Sequence, residues 1–487
     1  MNILILNPPS THTLLEFPDE NNESYIETED FGFFPPLGAL YVLSFLEKNT
    51  TGHNLFFKDC VAEKISHEDL KTVVEKIKPD VVGITSFTIS LVDVITAARN
   101  IRSVSPRAHI CLGGHHPIAF PFQAAELPEF DSIVVGEGEE AFTELVKKIE
   151  LNADFTGIPG VYTRQSIKKF KDTPYRDKHF LPNVVVPPAY INEINSLPVP
   201  NRTYITHIGY QSTLGVSGHL ATIITSRGCP YRCIYCDVPY KKYRERSISH
   251  VVDEIEECLR LGYKEFHFYD DLFNITPEKV IAFCDEVERR NLLFHWDFRG
   301  RVNTVTEESI IRAKKAGCRM ISFGVETGSD EGLKFLKKGT TTERITEAFR
   351  LCRRHGIKTM ANFIIGQPYE KTEDDIRNNL RFLVKIDPDY ILINILMLFP
   401  NTEMYDLALL RKVVTPGAWE EFSLHPTTKF AIDHWEEFMP LKKLVALQRE
   451  GYRKFYLRPR YILRNILSTR SWYEFKAKAK GFLKLLF

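Results

Sequence analysis

Ser226-Arg227-Gly228-Cys229-Pro230-Tyr231-Arg232-Cys233-Ile234-Tyr235-Cys236 places three thiols within eight residues of one turn. The pattern is C-x₃-C-x₂-C, with no fourth cysteine close by. Three thiolates can hold three irons of a [4Fe–4S] cluster, leaving one iron without a protein ligand. An open coordination position is what a catalytic metal centre needs, whereas a structural site closes all of its positions. A structural zinc would need a fourth ligand, and the nearest candidates are His250 and Cys258 in the following helical stretch. Buried cysteines often only pack, but three in one short turn argue against packing alone.

The run directly follows a strand expected at 221–226. Further strands are expected at 265–271, 294–299, 320–326, 358–365 and 390–399, with amphipathic stretches between them. Helix starts are signalled by Ser249, by Thr276 with Pro277 at the first helical position, and by Thr306, Ser329 and Thr372. Gly317, Gly339 and Gly356 follow Lys/Arg-rich helices, where a left-handed cap residue is wanted. Six β/α units in a row predict a partial (β/α)6 barrel over 221–410, its reactive groups at the strand C-termini.

Upstream, residues 1–150 alternate in the same way. Strands are expected at Asn2–Asn7, Asn54–Asp59, Val81–Ser86, His109–Gly114 and Ser132–Glu137, and helices at 37–48, 66–77, 91–104 and 139–150. Continuous apolar strands separated by helices mean a parallel sheet covered on both faces. The fold class is therefore α/β, with an N-terminal doubly wound, flavodoxin-like domain whose ligands sit beyond the strand carboxyl ends. Prolines cluster through 151–220, read as a connector, while 411–487 is helical, aromatic and basic.

The 487 residues carry 63 basic and 63 acidic side chains, but the neutrality is a cancellation. Residues 441–487 hold 13 Lys or Arg against two acids, a local balance of +11. Basic residues interleaved with Phe, Tyr and Leu suit either an interfacial helix on anionic lipid or an arm packed on the acidic body. No nucleic-acid-binding module accompanies the charge. The start, Met-Asn-Ile-Leu-Ile-Leu-Asn-Pro-Pro, has no basic leader. The longest apolar run, Tyr390–Phe399, is far short of the ~20 residues that span a bilayer. The expected location is cytoplasmic, with membrane association through the tail as the variant.

The cysteine run resembles the cluster motif of the radical S-adenosylmethionine (SAM) superfamily, and the six-unit barrel resembles its core. The resemblance implies SAM contacts at Tyr235 before the last cysteine, at Asp270 and Asp271 ending the second barrel strand, and at Glu326 in Phe323-Gly324-Val325-Glu326-Thr327-Gly328. It also implies Gly366 and Pro368 in the adenine-side loop. Carboxylates accept from ribose hydroxyls, and glycine lets backbone approach a flat ring. A doubly wound domain before such a barrel resembles the cobalamin-binding domain of B12-dependent radical SAM enzymes, as in class B methyltransferases and anaerobic porphyrin-ester cyclases. That resemblance implies cobalamin contacts at Asn7-Pro8-Pro9, Asp59, Thr85-Ser86, Gly113-Gly114-His115 and Gly136-Glu137-Gly138. Val61 stands where related domains place a cobalt-ligating histidine after the second strand, so cobalamin would bind histidine-off. Gly136-x-Gly138-x-x-Ala141 also matches a dinucleotide fingerprint, but no strand-ending acid follows at the required spacing.

The implied cofactors are a [4Fe–4S] cluster, SAM and cobalamin, and the implied enzyme generates a 5′-deoxyadenosyl radical that takes hydrogen from an unactivated carbon. Methyl transfer is the favoured outcome, a ring-forming or oxidising reaction the alternative, and a non-catalytic carrier or sensor the non-enzymatic one. Implied partners are a small-molecule or lipid-like substrate and a low-potential donor such as ferredoxin or flavodoxin. Tyr269, Arg299, Arg301 and Asn362 project from barrel strands as substrate candidates, each with a packing or salt-bridge alternative.

Overall fold

The computed structural model describes residues 1–12, 32–212, 214–215 and 218–468. Its N-terminal half is built on β1 (Asn2–Asn7), β2 (Gly32–Phe33), β3 (Asn54–Asp59), β4 (Val81–Ser86), β5 (His109–Gly114), β6 (Ser132–Val134) and β7 (Val161–Tyr162). The sheet order is β3-β1-β4-β5-β6-β7, with every neighbour parallel except β7. Counting only the five parallel strands this reads 2-1-3-4-5, the flavodoxin-like winding. The inner residues Ile3 to Leu6 of β1 are all buried because helices cover both sheet faces. Helices Leu37–Asn49 and Gly138–Glu150 cover one face. Helices His67–Ile77 and Leu91–Val104 cover the other.

β6 stops three residues short of the expected end. Gly136 turns out of the strand at φ +107°, and a Cβ there would lie 2.3 Å from the Ala189 carbonyl oxygen. The connector thus packs against the sheet end. It also supplies β8 (Gln211–Ser212), which pairs antiparallel with β2.

The C-terminal half holds β9 (Leu220–Ile223), β10 (Ser226–Arg227), β11 (Arg244–Glu245), β12 (Glu265–Phe268), β13 (His295–Gly300), β14 (Cys318–Glu326), β15 (Lys358–Ile365) and β16 (Tyr390–Ile395). Six of these form one all-parallel sheet, β16-β15-β14-β13-β12-β9, the open barrel the sequence predicts. Period-two alternation sends Phe266, Phe268, Trp296, Phe298 and Phe323 outward into the helix-covered core. The alternate residues, His267, Asp297, Arg299, Ser322 and Asn362, line the lumen. Thr276, Thr306, Ser329 and Thr372 each cap a helix by accepting the N–H three residues on. Ser249 does not. The helix Ile248–Arg260 starts earlier, because extended Ser247 accepts from His250 N and leaves Ser249 inside it.

The basic C-terminal stretch packs on the body. Helix Leu441–Tyr456 lies along β16, the sheet's edge, with Leu444, Leu447, Tyr452 and Phe455 buried in the barrel core. Tyr452 Oη accepts from Ile393 N at 2.9 Å, and Tyr456 Oη accepts from Ile391 N at 3.0 Å. Gln448 donates to the Ile393 carbonyl at 2.6 Å. Side chains thereby take the place of a seventh strand and cover an edge that would otherwise pair elsewhere. Lys443 pairs with Glu373, and Arg458 and Arg464 share Asp387, while Glu450 of the helix is held by Arg377. The lipid-facing expectation for 441–468 therefore gives way: the apolar side of the long helix is already covered. Residues 469–487 lie outside the described residues. Among the described residues no helix is long and apolar enough to cross a membrane.

The double variant Tyr452→Phe/Tyr456→Phe strands two edge N–H groups and should lower unfolding stability by about 1–3 kcal/mol per lost partner. An unchanged urea midpoint would contradict this account of the edge.

Candidate functional site

β10 and β11 form an antiparallel pair that closes the loop 228–243 into a hairpin carrying all three cysteines. Gly228 opens the loop at φ +84°, where a Cβ would sit 2.5 Å from the Lys242 carbonyl oxygen. The loop is then pinned along its length. Cys229 N donates to Tyr240 O at 3.0 Å, and Ile234 N to Leu336 O at 3.3 Å. Met404 N donates to Ile234 O at 2.8 Å. Cys229, Cys233 and Cys236 are half-buried and free of disulfides. Burial pushes the Cys229 thiol up, and the Cys236 thiol up to about 11. Thiolates there need a cation's help, which a bound metal centre supplies.

The strand-ending acids hold this loop. Asp270 Oδ1 accepts from Thr225 N, Thr225 Oγ1 and Ser226 Oγ, while its Oδ2 is buried without a partner. Asp271 Oδ2 accepts from Gly228 N at 3.1 Å. Asp270 thus clamps the loop's entry through Oδ1 alone. Arg301, expected as a substrate candidate, instead stacks on Tyr231 at 3.8 Å and points Nη1 at Cys233 Sγ, 3.5 Å away. It also donates to the Lys338 carbonyl. Lys338, which sequence reasoning missed, bridges Glu326 at 2.7 Å and the Tyr235 hydroxyl at 3.1 Å. Glu326 sits at φ +65° in a β-bulge between β14 and β15, which re-aims its side chain. Gly366 sits at φ +76°, the left-handed region that favours glycine, and Leu444 of the C-terminal helix lies 2.9 Å from where a Cβ would be. Pro368 is buried beside it. The two fourth-ligand candidates for zinc are engaged elsewhere: Cys258 is buried in the barrel core, and His250 faces Arg246. Among the described residues no three His, Cys, Asp or Glu side chains converge on a single-ion site.

The hairpin is seated in the N-terminal half by buried charge. Arg244 donates to both Glu137 oxygens at 2.8 and 2.9 Å, and Arg227 bridges Glu137 and Glu139. Ile191 N fills a further acceptor position of Glu137 at 2.7 Å. A second buried set joins Arg202, Arg246 and Glu254, with the Tyr41 hydroxyl accepting from Arg246. Burial alone would raise the Glu137 carboxyl, but Arg227 and Arg244 outweigh it and hold it below its usual value. Glu137 is therefore a seam residue with its lone pairs taken, not an open cobalamin contact.

The other expected cobalamin residues divide in two. Asn7 donates to Asp59 Oδ1 at 2.8 Å, and the Tyr210 hydroxyl to Asp59 Oδ2 at 2.7 Å, so this pair clamps the ends of β1 and β3 to the connector. Pro8 and Pro9 are buried. Gly136 serves the connector, and a Cβ at Gly138 would lie 3.1 Å from Val42 Cγ2. Gly114 is required by Ser86, whose backbone would lie 2.5 Å from a Cβ, and Ser86 donates to Gly113 O at 2.7 Å. Around them the edge is open. Thr85, Gly113 and His115 are half-buried and Phe87 is 59% exposed. His115 stacks on Phe87 at 6.1 Å and approaches Asp237, the residue after Cys236, at 3.6 Å. His116 turns inward against Thr88, and Cys60 packs in the core. The open edge and the cysteine loop thus face each other across His115 and Asp237.

The radical SAM superfamily model matches residues 223–383, and the B12 binding domain model matches residues 29–146. The chain belongs to the cobalamin-dependent radical SAM family. It is a radical SAM enzyme whose cofactors are a [4Fe–4S] cluster, SAM and cobalamin. An uncharacterised methyltransferase of Pyrococcus horikoshii is 27% identical over 459 residues, covering 93% of this chain and 94% of that one. An anaerobic magnesium-protoporphyrin IX monomethyl ester cyclase of Cereibacter sphaeroides is 31% identical over 369 residues, covering 74% of this chain but 58% of its own length. The radical SAM methyltransferase TsrM of Kitasatospora setae, solved with tryptophan and a SAM analogue, shares the fold at TM-score 0.70. It is 22% identical and covers 92% of this chain and 88% of that one.

Glu137→Gln leaves two arginines buried against a neutral group and should cost about 3–5 kcal/mol at neutral pH. Because the folded carboxyl titrates below its ordinary 4.5, its stabilisation is present above that pH and lost as pH falls. The variant should therefore lose less stability on acidification than the wild type, measured by thermal unfolding across pH 3–7.

Proposed function

We propose that this chain is a C-methyltransferase acting on a small molecule, with Cys229, Cys233 and Cys236 holding the cluster. The observation that carries the reading is the seating of the cysteine hairpin against the open edge of the N-terminal sheet, with Asp237 and His115 in contact. When bound, the cluster supplies an electron for SAM cleavage and cobalamin supplies the methyl group. The chain's own residues arrange this. Asp270 and Asp271 fix the loop, and Arg301 offers Cys233 a charged donor. Lys338 orients Glu326 and Tyr235 on the SAM side. Thr85, Gly113 and His115 form the cobalamin edge, where the loop after β3 presents Val61 and so binds cobalamin histidine-off. The electron donor is a low-potential ferredoxin or flavodoxin. A ring-forming cyclase is the second reading, favoured by the relative of that name at 31% identity.

Reconstituted protein given reductant, substrate and methyl-labelled SAM should yield labelled product with both S-adenosylhomocysteine and 5′-deoxyadenosine. Unlabelled product alongside 5′-deoxyadenosine would give the cyclase reading the field. Alanine at any one of the three cysteines should bring 5′-deoxyadenosine formation to background.

A further inference from the structure

The lumen below the cysteine loop holds a polar group that the functions assigned so far do not use. β12 and β13 are paired so that His267 faces Asp297 and the next lumen step brings Tyr269 beside Arg299. Arg299 is exposed, and its guanidinium lies 4.6 Å above the Tyr269 ring, itself 42% exposed. No acid pairs with Arg299 among the described residues. The neighbouring cations are all committed: Arg319 to Glu265 at 2.9 Å, Lys338 to Glu326, and Arg301 to the Lys338 carbonyl and Cys233. His267 hydrogen-bonds Asp297 through Nδ1. A carboxylate accepts only, so Nδ1 carries the hydrogen and Nε2 is the ring nitrogen left over. That Nε2 is buried and has no partner. Phe34 closes the wall, its ring 5.5 Å from His267 and 6.0 Å from Tyr269.

We infer that the lumen is built for a small organic acid, its oxyanion taken by Arg299 and an adjacent polar group hydrogen-bonded to His267 Nε2. An unpaired guanidinium offers a fork that matches a carboxylate or phosphate. A buried ring nitrogen without a hydrogen-bond partner is a position a ligand completes. Tyr269 and Phe34 supply the flat surfaces against which an apolar portion of the same molecule packs. The location is appropriate: Arg299 precedes Arg301 by two residues, roughly 7 Å along the strand, and Arg301 touches Cys233. A purely apolar lipid would strip water from Arg299 and return no partner. Asp297 acts through His267, as a positioning residue. The inference rests on the proposed function only in taking the lumen as the substrate's place.

Calorimetric titration of the cofactor-loaded protein with phenyl phosphate, benzoate and benzyl alcohol tests it. The anions should bind at least ten-fold more tightly than the alcohol. Arg299→Gln should abolish that preference and Arg299→Lys should retain part of it, with phenyl phosphate against benzoate telling which oxyanion fits. Anion and alcohol binding alike, or a preference that survives Arg299→Gln, would overturn the inference. So would loss of SAM affinity in Arg299→Gln with the anion preference intact, which would assign the guanidinium to SAM. SAM cleavage by the wild type is read separately. Its absence would defeat the proposed function and leave the anion result standing.

Discussion

Two buried acids, Glu137 and Glu139, meet two arginines, buried Arg244 and half-buried Arg227, and the rest of the molecule is arranged around that meeting. The arginines sit at paired positions of the cysteine hairpin, and the acids sit where the N-terminal sheet ends and its last helix begins. Charges taken out of water are tolerable only when each finds partners, and removing one partner leaves the other exposed to the full penalty. The seam thereby specifies one seating of the hairpin. Arg202, Arg246 and Glu254 repeat the device beside it, tying the connector to the first barrel helix.

With the hairpin fixed, the strand ends finish the site. Asp270 and Asp271 hold its entry from below, the Leu336 carbonyl and Met404 amide hold its middle, and Arg301 and Lys338 fill the space between loop and barrel. The C-terminal helix contributes from outside. By satisfying the edge of β16 it also brings Leu444 against Gly366 and so shapes the loop after β15. Below this level the lumen changes from committed ion pairs to uncommitted donors and acceptors, which is where a substrate is wanted.

Much of this was legible in the sequence, and the division has a physical logic. Strands, helix starts such as Thr276 with Pro277, and left-handed Gly317, Gly339 and Gly356 follow from local chemistry. The cysteine spacing is local too. What the sequence hid is long-range. Glu137 and Arg244 are 107 residues apart and Glu139 and Arg227 are 88 apart, so a motif that looked like a cofactor edge became a seam. Gly136, read as room for a ligand, is room for the chain's own Ala189. Basic, aromatic 441–468 carried two readings at equal strength, because a helix that suits a lipid surface also suits a sheet edge.

The central claim is that the seam brings the cluster and cobalamin into one chamber across His115 and Asp237. Electron paramagnetic resonance of protein holding both a reduced cluster and cob(II)alamin tests this directly. The account predicts a spectrum broadened by coupling between the two spins. A spectrum that is the simple sum of the two centres measured alone would contradict it.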